Sequence, residues 1–324
     1  MPRARAAAGS AHRVAVIQHP SVALHRDATL KRGVELLEEA AGAGAKLAAF
    51  PETWVPGYPE WLWRLRPGED YKLTGEIHKR LLENSIDLAA GELKLMQSAA
   101  KRLKVTVGIG IHERDGAFSR GTLYNTFVLI GPDGSILNRH RKLMPTNPER
   151  MVWGMGDASG LKVVDTPAGR VGGLICWENY MPLARFSVFA QGCEVYIAPT
   201  WDWGDGWIAT VRHIALEGRC WVLGVGSSLR GKDIPRDFPQ RARLFPDMES
   251  WFNAGDSVIV SPSGDVVAGP LHEQHGILYA ECDPARAAAA KRTLDVTGHY
   301  GRPDIFHLEV DRGVRTPVEF ARRG

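Results

Sequence analysis

Cys176 stands where an apolar run, Val171-Gly-Gly-Leu-Ile175, gives way to the polar stretch Trp177-Glu-Asn-Tyr180. A strand that ends in this way delivers a side chain to a site, and a sharp turn there leaves the next backbone N–H free to hold an oxyanion. Two other strand-like runs end similarly: Leu47-Ala-Ala-Phe50 delivers Pro51-Glu52, and the hairpin ending near Leu137 delivers Arg141-Lys142. A thiol, a carboxylate and an amine brought together supply a nucleophile, a proton acceptor and a fixed positive charge.

Each of these residues also has a plainer reading. A lone cysteine is usually a small buried hydrophobe, which suits Cys193, Cys220 and Cys282, because none of them heads a polar strand-to-loop junction. A glutamate after a strand is usually solvated, but Glu52 lies between Pro51 and an aromatic-rich loop that would dry its surroundings and raise its pKa. Lys142 closes the run Arg139-His-Arg-Lys142, ordinarily a solvated face; the following Leu143-Met-Pro-Thr146 favours one of those cations pointing inward. Glu149, in a Pro-Glu-Arg context, fits the exposed first turn of a helix as well as a site. His140 as the base for the thiol lacks a supporting cysteine-protease signature, and His213 with Glu217 lacks the second histidine of a zinc motif. No Walker or dinucleotide fingerprint occurs, and Gly108 with Gly110 is too little for a phosphate loop.

The elements that must position these groups alternate in type. Residues 14–17 read as a strand, and Asp27 caps a helix with Leu30, Val34, Leu37 and Ala41 on one face, ended by Gly42 and Gly44. A strand over 47–50, one long helix over 80–103 and a β-branched strand over 105–111 follow. The second half repeats the order, with strands at 171–175, 195–198 and 221–225 and helices at 182–191 and 207–219. Gly44 precedes Pro51, and Gly192 precedes Pro199, by the same seven positions, and each half carries a hairpin, at 127–137 and 258–267. Two similar halves of this kind give two mixed sheets face to face with helices outside, an α/β four-layer α-β-β-α sandwich with its site at the strand ends near the junction. Residues 54–71 and 230–248 resist the plan and read as long surface loops or lids.

A chain of 324 residues, 44% hydrophobic and 24% charged, has ordinary globular composition. Its net charge of +3 is spread rather than blocked, which favours a small-molecule substrate over nucleic acid. Four widely spaced cysteines without a Cys-x-x-Cys pair read as free thiols in a reducing cytosol, with no metal. No apolar stretch approaches membrane-spanning length. Residues 1–12 read as a disordered tail, although an Arg/Ala-rich, acid-poor start also fits an organelle address.

Taken together, Pro51-Glu-Thr-Trp-Val-Pro-Gly-Tyr-Pro59, His140-Arg-Lys-Leu-Met-Pro-Thr146 and Cys176-Trp-Glu-Asn-Tyr-Met-Pro-Leu-Ala-Arg185 resemble the nitrilase superfamily, in particular its true nitrilase branch. The late Gly298-His-Tyr-Gly-Arg-Pro-Asp-Ile-Phe306 is similar to the tail of that branch. The resemblance implies the same sandwich, a hydrolase domain over 13–284 and an extension over 285–324 used in subunit contacts. It carries a Glu-Lys-Cys constellation onto Glu52, Lys142 and Cys176, with a second glutamate at Glu149. It also implies cytoplasmic location, no cofactor or metal, and a homo-oligomer whose subunits pair across a helix face and in this family often grow into spirals, while charge and hydropathy argue against a nucleic-acid or membrane partner. The implied activity is hydrolysis of an organic nitrile to the carboxylic acid and ammonia through a thioimidate and then a thioester on Cys176. An amidase or carbamoyl hydrolase would use the same parts one step later, and a non-enzymatic scaffold or filament would leave them dispensable. Tyr58, Trp177, Trp201 and Trp203 are the expected pocket walls, because aromatic residues flank each strand end that carries a reactive group.

Overall fold

In β1 (His12–Gln18) successive side chains go to opposite faces, and the two sets meet different partners. Ala15 and Ile17 pack with Leu30, Leu37 and Met96, whereas Val14 and Val16 pack with Val195, Ile197 and Leu223 from the other half of the chain. The computed structural model describes residues 11–66, 68–314 and 316–318. After β1 come α1 (Arg26–Gly42), β2 (Leu47–Ala49), α2 (Tyr71–Asn84), α3 (Lys94–Leu103), β3 (Thr106–Arg114), β4 (Leu123–Ile130) and β5 (Ile136–Arg141). The second run holds β6 (Val164–Thr166), β7 (Gly169–Gly173), α4 (Pro182–Phe189), β8 (Val195–Thr200), α5 (Asp205–Gly218), β9 (Trp221–Gly226) and β10 (Ser228–Arg230). It ends with α6 (Arg241–Leu244), β11 (Trp251–Val260), β12 (Val266–His272), β13 (Gly276–Cys282) and α7 (Pro284–Ala290).

Two mixed sheets result. One has the order β13-β1-β2-β3-β4-β5 and the other β10-β11-β9-β8-β7-β6, with β12 paired to β11. Tyr196 and Ala198 of β8 face Val188, Val211 and Ile214 of α4 and α5, while Val195 and Ile197 face the opposite sheet. The layers are therefore helix, sheet, sheet, helix, as the sequence reading expects. Each fully buried aliphatic side chain in these layers contributes about 1.5–3 kcal/mol. The halves are not separate, because β13 crosses back to pair antiparallel with β1 from His12↔Cys282 to Gln18↔Gly276. His12, expected in the tail, is thus the first residue of β1; residues 1–10 lie outside the described residues.

Three local expectations are corrected. The single helix expected over 80–103 is two, because Ile86 is claimed by the sheet: its N–H donates to His112 O at 2.8 Å, its carbonyl accepts from Arg114 N at 2.8 Å, and Gly91 turns at φ +76°. Asp27 does not cap α1; His25 holds that position and Asp27 sits in the first turn, paired with Arg26 at 2.9 Å. Residues 54–71 and 230–248 are not merely surface loops. Tyr58, Trp61 and Leu62 pack with Ile234, Phe238, Leu244 and Phe245 in a buried cluster, and Arg64 lies 4.3 Å over the Phe252 ring. Widely spaced aromatic anchors give such a cluster no periodic signal.

Glu52 is set by the close approach of its segment to β3. Phe50 N donates to Gly108 O at 2.8 Å and Val55 N to Gly110 O at 3.1 Å, and between them the chain bows away at Pro51, which has no N–H to give. A Cβ on Gly110 would lie 2.3 Å from Pro51 O and 2.4 Å from Thr53 N. Gly110→Ala is expected to lower stability by about 1–3 kcal/mol, as overpacking does, and to displace Glu52. Denaturant midpoints together with turnover check both effects.

Candidate active site

The reactive side chains come from both sheets at one end. Glu52 follows β2, Lys142 follows β5, Cys176 follows β7, and β8 contributes Thr200 and the backbone of Trp201. Lys142, only 1% exposed, donates from Nζ to Glu52 Oε1 at 2.8 Å and to Glu149 Oε2 at 2.8 Å. Asn125 Nδ2 donates to Glu52 Oε1 at 2.7 Å, and Trp201 N donates to Glu52 Oε2 at 2.8 Å. Glu149 is buried, not exposed; its Oε1 accepts from Tyr58 OH at 2.8 Å and its Oε2 from Thr146 N at 2.6 Å. Thr200 Oγ1 donates to Cys176 Sγ at 3.2 Å.

The backbone is strained at all three approaches. Thr53 beside Glu52, Asn147 between Lys142 and Glu149, and Cys176 itself have φ of 41°, 47° and 50°. Left-handed conformations at non-glycine residues cost of order 1–3 kcal/mol each and gather at functional sites. At Cys176 the strain turns the strand into a short 3-10 helix, Cys176–Tyr180, whose first N–H groups have no carbonyl within their own turn.

The charges are interdependent. Burial would lower the Lys142 pKa, but Glu52, Cys176 and Glu149 together raise it, so the amine stays an ammonium. Burial pushes Glu52 up, with Lys142 opposing and Glu149 adding. Burial likewise pushes the Cys176 thiol up, Glu52 adds to this, and Lys142 opposes it. At rest the proton therefore sits on sulfur, beside a carboxylate made basic enough to take it.

A cleft of about 520 Å³ reaches Cys176 and Glu149. The expected walls all border it: Tyr58 and Trp201 are stacked at 4.2 Å and 7°, while Trp177, half-exposed, donates from Nε1 to Asp202 at 2.8 Å, and Trp203 stands beside it. Trp63, Trp251 and Phe252, which the sequence reading missed, complete the aromatic lining, and Glu60 with Arg64 forms an ion pair at 2.8 Å on the same wall. Burial raises Glu60 to about 7 against the pull of Arg64.

His140 is not the base. Its Nε2 faces Glu178 at 3.0 Å, deep in the protein. Glu178 also accepts from Leu143 N at 2.6 Å and Ile175 N at 2.7 Å, so one carboxylate ties the lysine loop to the cysteine turn. Asn179 braces the same turn, donating to Cys176 O at 2.8 Å and accepting from Tyr196 OH at 2.7 Å. Glu217 pairs with Arg185 at 2.7 Å rather than closely with His213, which is 4.0 Å away. Asn125, Thr200 and Glu178 were all missed as site residues; the available signal was a polar side chain at a core-facing or strand-end position in Tyr124-Asn-Thr126 and Ala198-Pro-Thr200. Among the described residues no group of three or more His, Cys, Asp or Glu is arranged to hold a metal ion.

This arrangement agrees with comparison to known proteins: residues 13–292 match the carbon-nitrogen hydrolase family. The chain belongs to that family. It is a hydrolase of carbon–nitrogen bonds, and its similarity extends along nearly its whole length to proteins of the nitrilase branch. It is 41% identical to a bifunctional nitrilase/nitrile hydratase of Nicotiana tabacum, over 95% of this chain and 88% of the relative. It is 40% identical to an aliphatic nitrilase of Sinorhizobium fredii, over 94% and 97%. The fold matches Saccharomyces cerevisiae Nit3, a member of branch 10 of the nitrilase superfamily, with a TM-score of 0.66 at 21% identity, covering 90% of this chain and 97% of that one.

Glu178 makes a testable contribution to this hydrolase. Burial works to raise its pKa, but His140 and the two backbone N–H groups outweigh it and hold the carboxyl below its ordinary value. A lowered folded pKa means the stabilisation is complete above the usual carboxylate range and is lost as pH falls through the lowered value. Glu178→Gln is expected to cost about 3 kcal/mol at neutral pH, as breaking a buried pair does. The difference from the parent should shrink below about pH 4. Unfolding curves across pH check this.

Proposed function

We propose that this chain is a nitrilase, converting an organic nitrile and two waters into a carboxylic acid and ammonia. The observation that carries the reading is the buried ammonium of Lys142, 2.8 Å from both Glu52 and Glu149, on the sheet facing a thiol held at a strained turn. The nitrilase names borne by relatives about 40% identical over almost the full length support it.

Glu52 accepts the Cys176 proton as sulfur attacks the nitrile carbon, and that proton passes to the nitrile nitrogen, giving a thioimidate. Lys142 and the Trp177 N–H stabilise negative charge on that nitrogen and later on oxygen. Water activated by Glu52 adds to the thioimidate, and Glu52 returns a proton to the departing ammonia. A second water releases the acid from the thioester. Glu149 orients Lys142, with Tyr58 holding its other oxygen. Tyr58, Trp177, Trp201 and Trp203 bind the organic group.

The same reading has the enzyme acting in the cytoplasm, without metal or cofactor, as a homo-oligomer built from dimers. All four cysteines are unpaired, which suits a reducing compartment, and no helix among the described residues is long and apolar enough to cross a membrane. Met181, Leu183 and Phe186 on and beside α4 and Leu216 on α5 form an exposed apolar face that supports pairing there. Exposed Tyr300, Ile305 and Phe306 support a second role for the C-terminal extension in subunit contacts.

Cys176→Ala is expected to abolish turnover by at least about 10⁴-fold with unchanged circular dichroism. Matched nitrile and amide substrates should give acid and ammonia from the nitrile; ammonia from the amide alone would make the enzyme an amidase. Leu183→Asp is expected to shift sedimentation toward smaller species, whereas an unchanged profile would remove α4 from the interface.

A further inference from the structure

The groups that react are reached through two different spaces. Cys176 and Glu149 border the aromatic cleft, while Glu52 borders a separate cavity of about 30 Å³. Tyr58, Glu60 and Trp201 border both and form the partition between them. That volume takes about two waters, and a buried water needs two to four polar partners. Besides Glu52 and Glu60, the cavity wall offers His19, Ser21, Ser227 and Ser228. Ser228 Oγ is itself bonded to His275 Nδ1 at 2.8 Å, and burial pushes the pKa of His19 down to about 4, leaving a neutral ring whose Nδ1 accepts from Arg32 at 3.3 Å and whose Nε2–H is left to donate.

We infer that this small cavity is a water-binding site that supplies Glu52 in the hydrolytic steps, by a route separate from the cleft through which the nitrile enters. The inference rests on the nitrilase reading. Once sulfur is acylated, the organic group fills the cleft between Trp177, Trp203 and Trp251 and shields the carbonyl carbon on that side. Water must still reach a carboxylate that is 1% exposed. In each step Glu52 takes a proton from water as the oxygen bonds to the carbon attached to sulfur. In the first step the carbon–nitrogen bond breaks and nitrogen leaves as ammonia with the returned proton. In the second the carbon–sulfur bond breaks and sulfur recovers its proton from Glu52. Two waters are consumed per nitrile and no oxidant or reductant is needed.

Ser227→Leu, which fills the cavity from a residue outside the reacting groups, tests the assignment. Acylation should proceed at the parent rate and hydrolysis of the adduct should slow at least tenfold. Both kcat and KM should then fall together with kcat/KM unchanged, and the acylated enzyme should accumulate in intact-mass spectra of quenched turnover mixtures. Ser21→Val fills another part of the wall and serves if Ser227→Leu does not fold. Parent-like hydrolysis of the adduct in a folded variant with the cavity filled would overturn the inference. A parent enzyme that forms no adduct with any nitrile would instead overturn the nitrilase reading, so the two failures are distinguishable.

Discussion

A lysine ammonium with no solvent is the constraint around which this protein is built. Transferring such an ion from water costs several kcal/mol unless charge and hydrogen bonds replace the lost hydration. Glu52 and Glu149, each 2.8 Å from Nζ, supply that replacement. Burial raises the affinity of both Glu52 and Cys176 for a proton; Lys142 opposes this at each, and the second carboxylate, Glu149, adds to it. The lysine thereby remains a fixed positive charge, the thiol stays protonated at rest, and the carboxylate beside it is basic enough to receive its proton. Removing any one of these groups changes the protonation of the others, so they act as a unit.

Holding that unit together requires a rigid frame, because its members come from two sheets whose facing strands meet only through side chains. Glu178 ties the two, binding the backbone after Lys142 and the backbone before Cys176 with one carboxylate. Trp201 N and Thr200 then set Glu52 and the sulfur from the end of a single strand. Glycine makes the close approaches possible: a Cβ on Gly173 would fall 1.9 Å from Ile197 O, closing the gap between β7 and β8. The left-handed turns at Thr53, Asn147 and Cys176 are the local cost of pointing three side chains at one point.

Much of this was legible in the chain. The short apolar runs along 14–17 and 195–198 marked strands, and the repeated order of strands and helices in two similar halves implied four layers. The polar junctions after residues 50, 141 and 175 marked the strand ends that carry Glu52, Lys142 and Cys176. What stayed hidden depended on contacts distant in sequence. Ile86 looked helical until β3 took its backbone hydrogen bonds. The aromatic cluster of 54–71 with 230–248 has no period to read. His140 lacked the signature of a base, but its true partner, Glu178, thirty-eight residues away, was not visible in the chain. Asn125 and Thr200 are single polar residues in strands, and only their partners reveal their part.

In the proposed mechanism one proton begins on sulfur and passes by way of Glu52 to the nitrile nitrogen as the covalent bond forms. Infrared difference spectroscopy of the resting enzyme against a variant stalled with bound nitrile follows that proton directly. The account predicts an S–H band at rest, absent from Cys176→Ala, that disappears on adduct formation while the Glu52 carboxylate bands, assigned by their loss in Glu52→Gln, persist because the proton has passed on to the nitrile nitrogen. A resting enzyme without the S–H band, or an adduct in which that band persists, would contradict it.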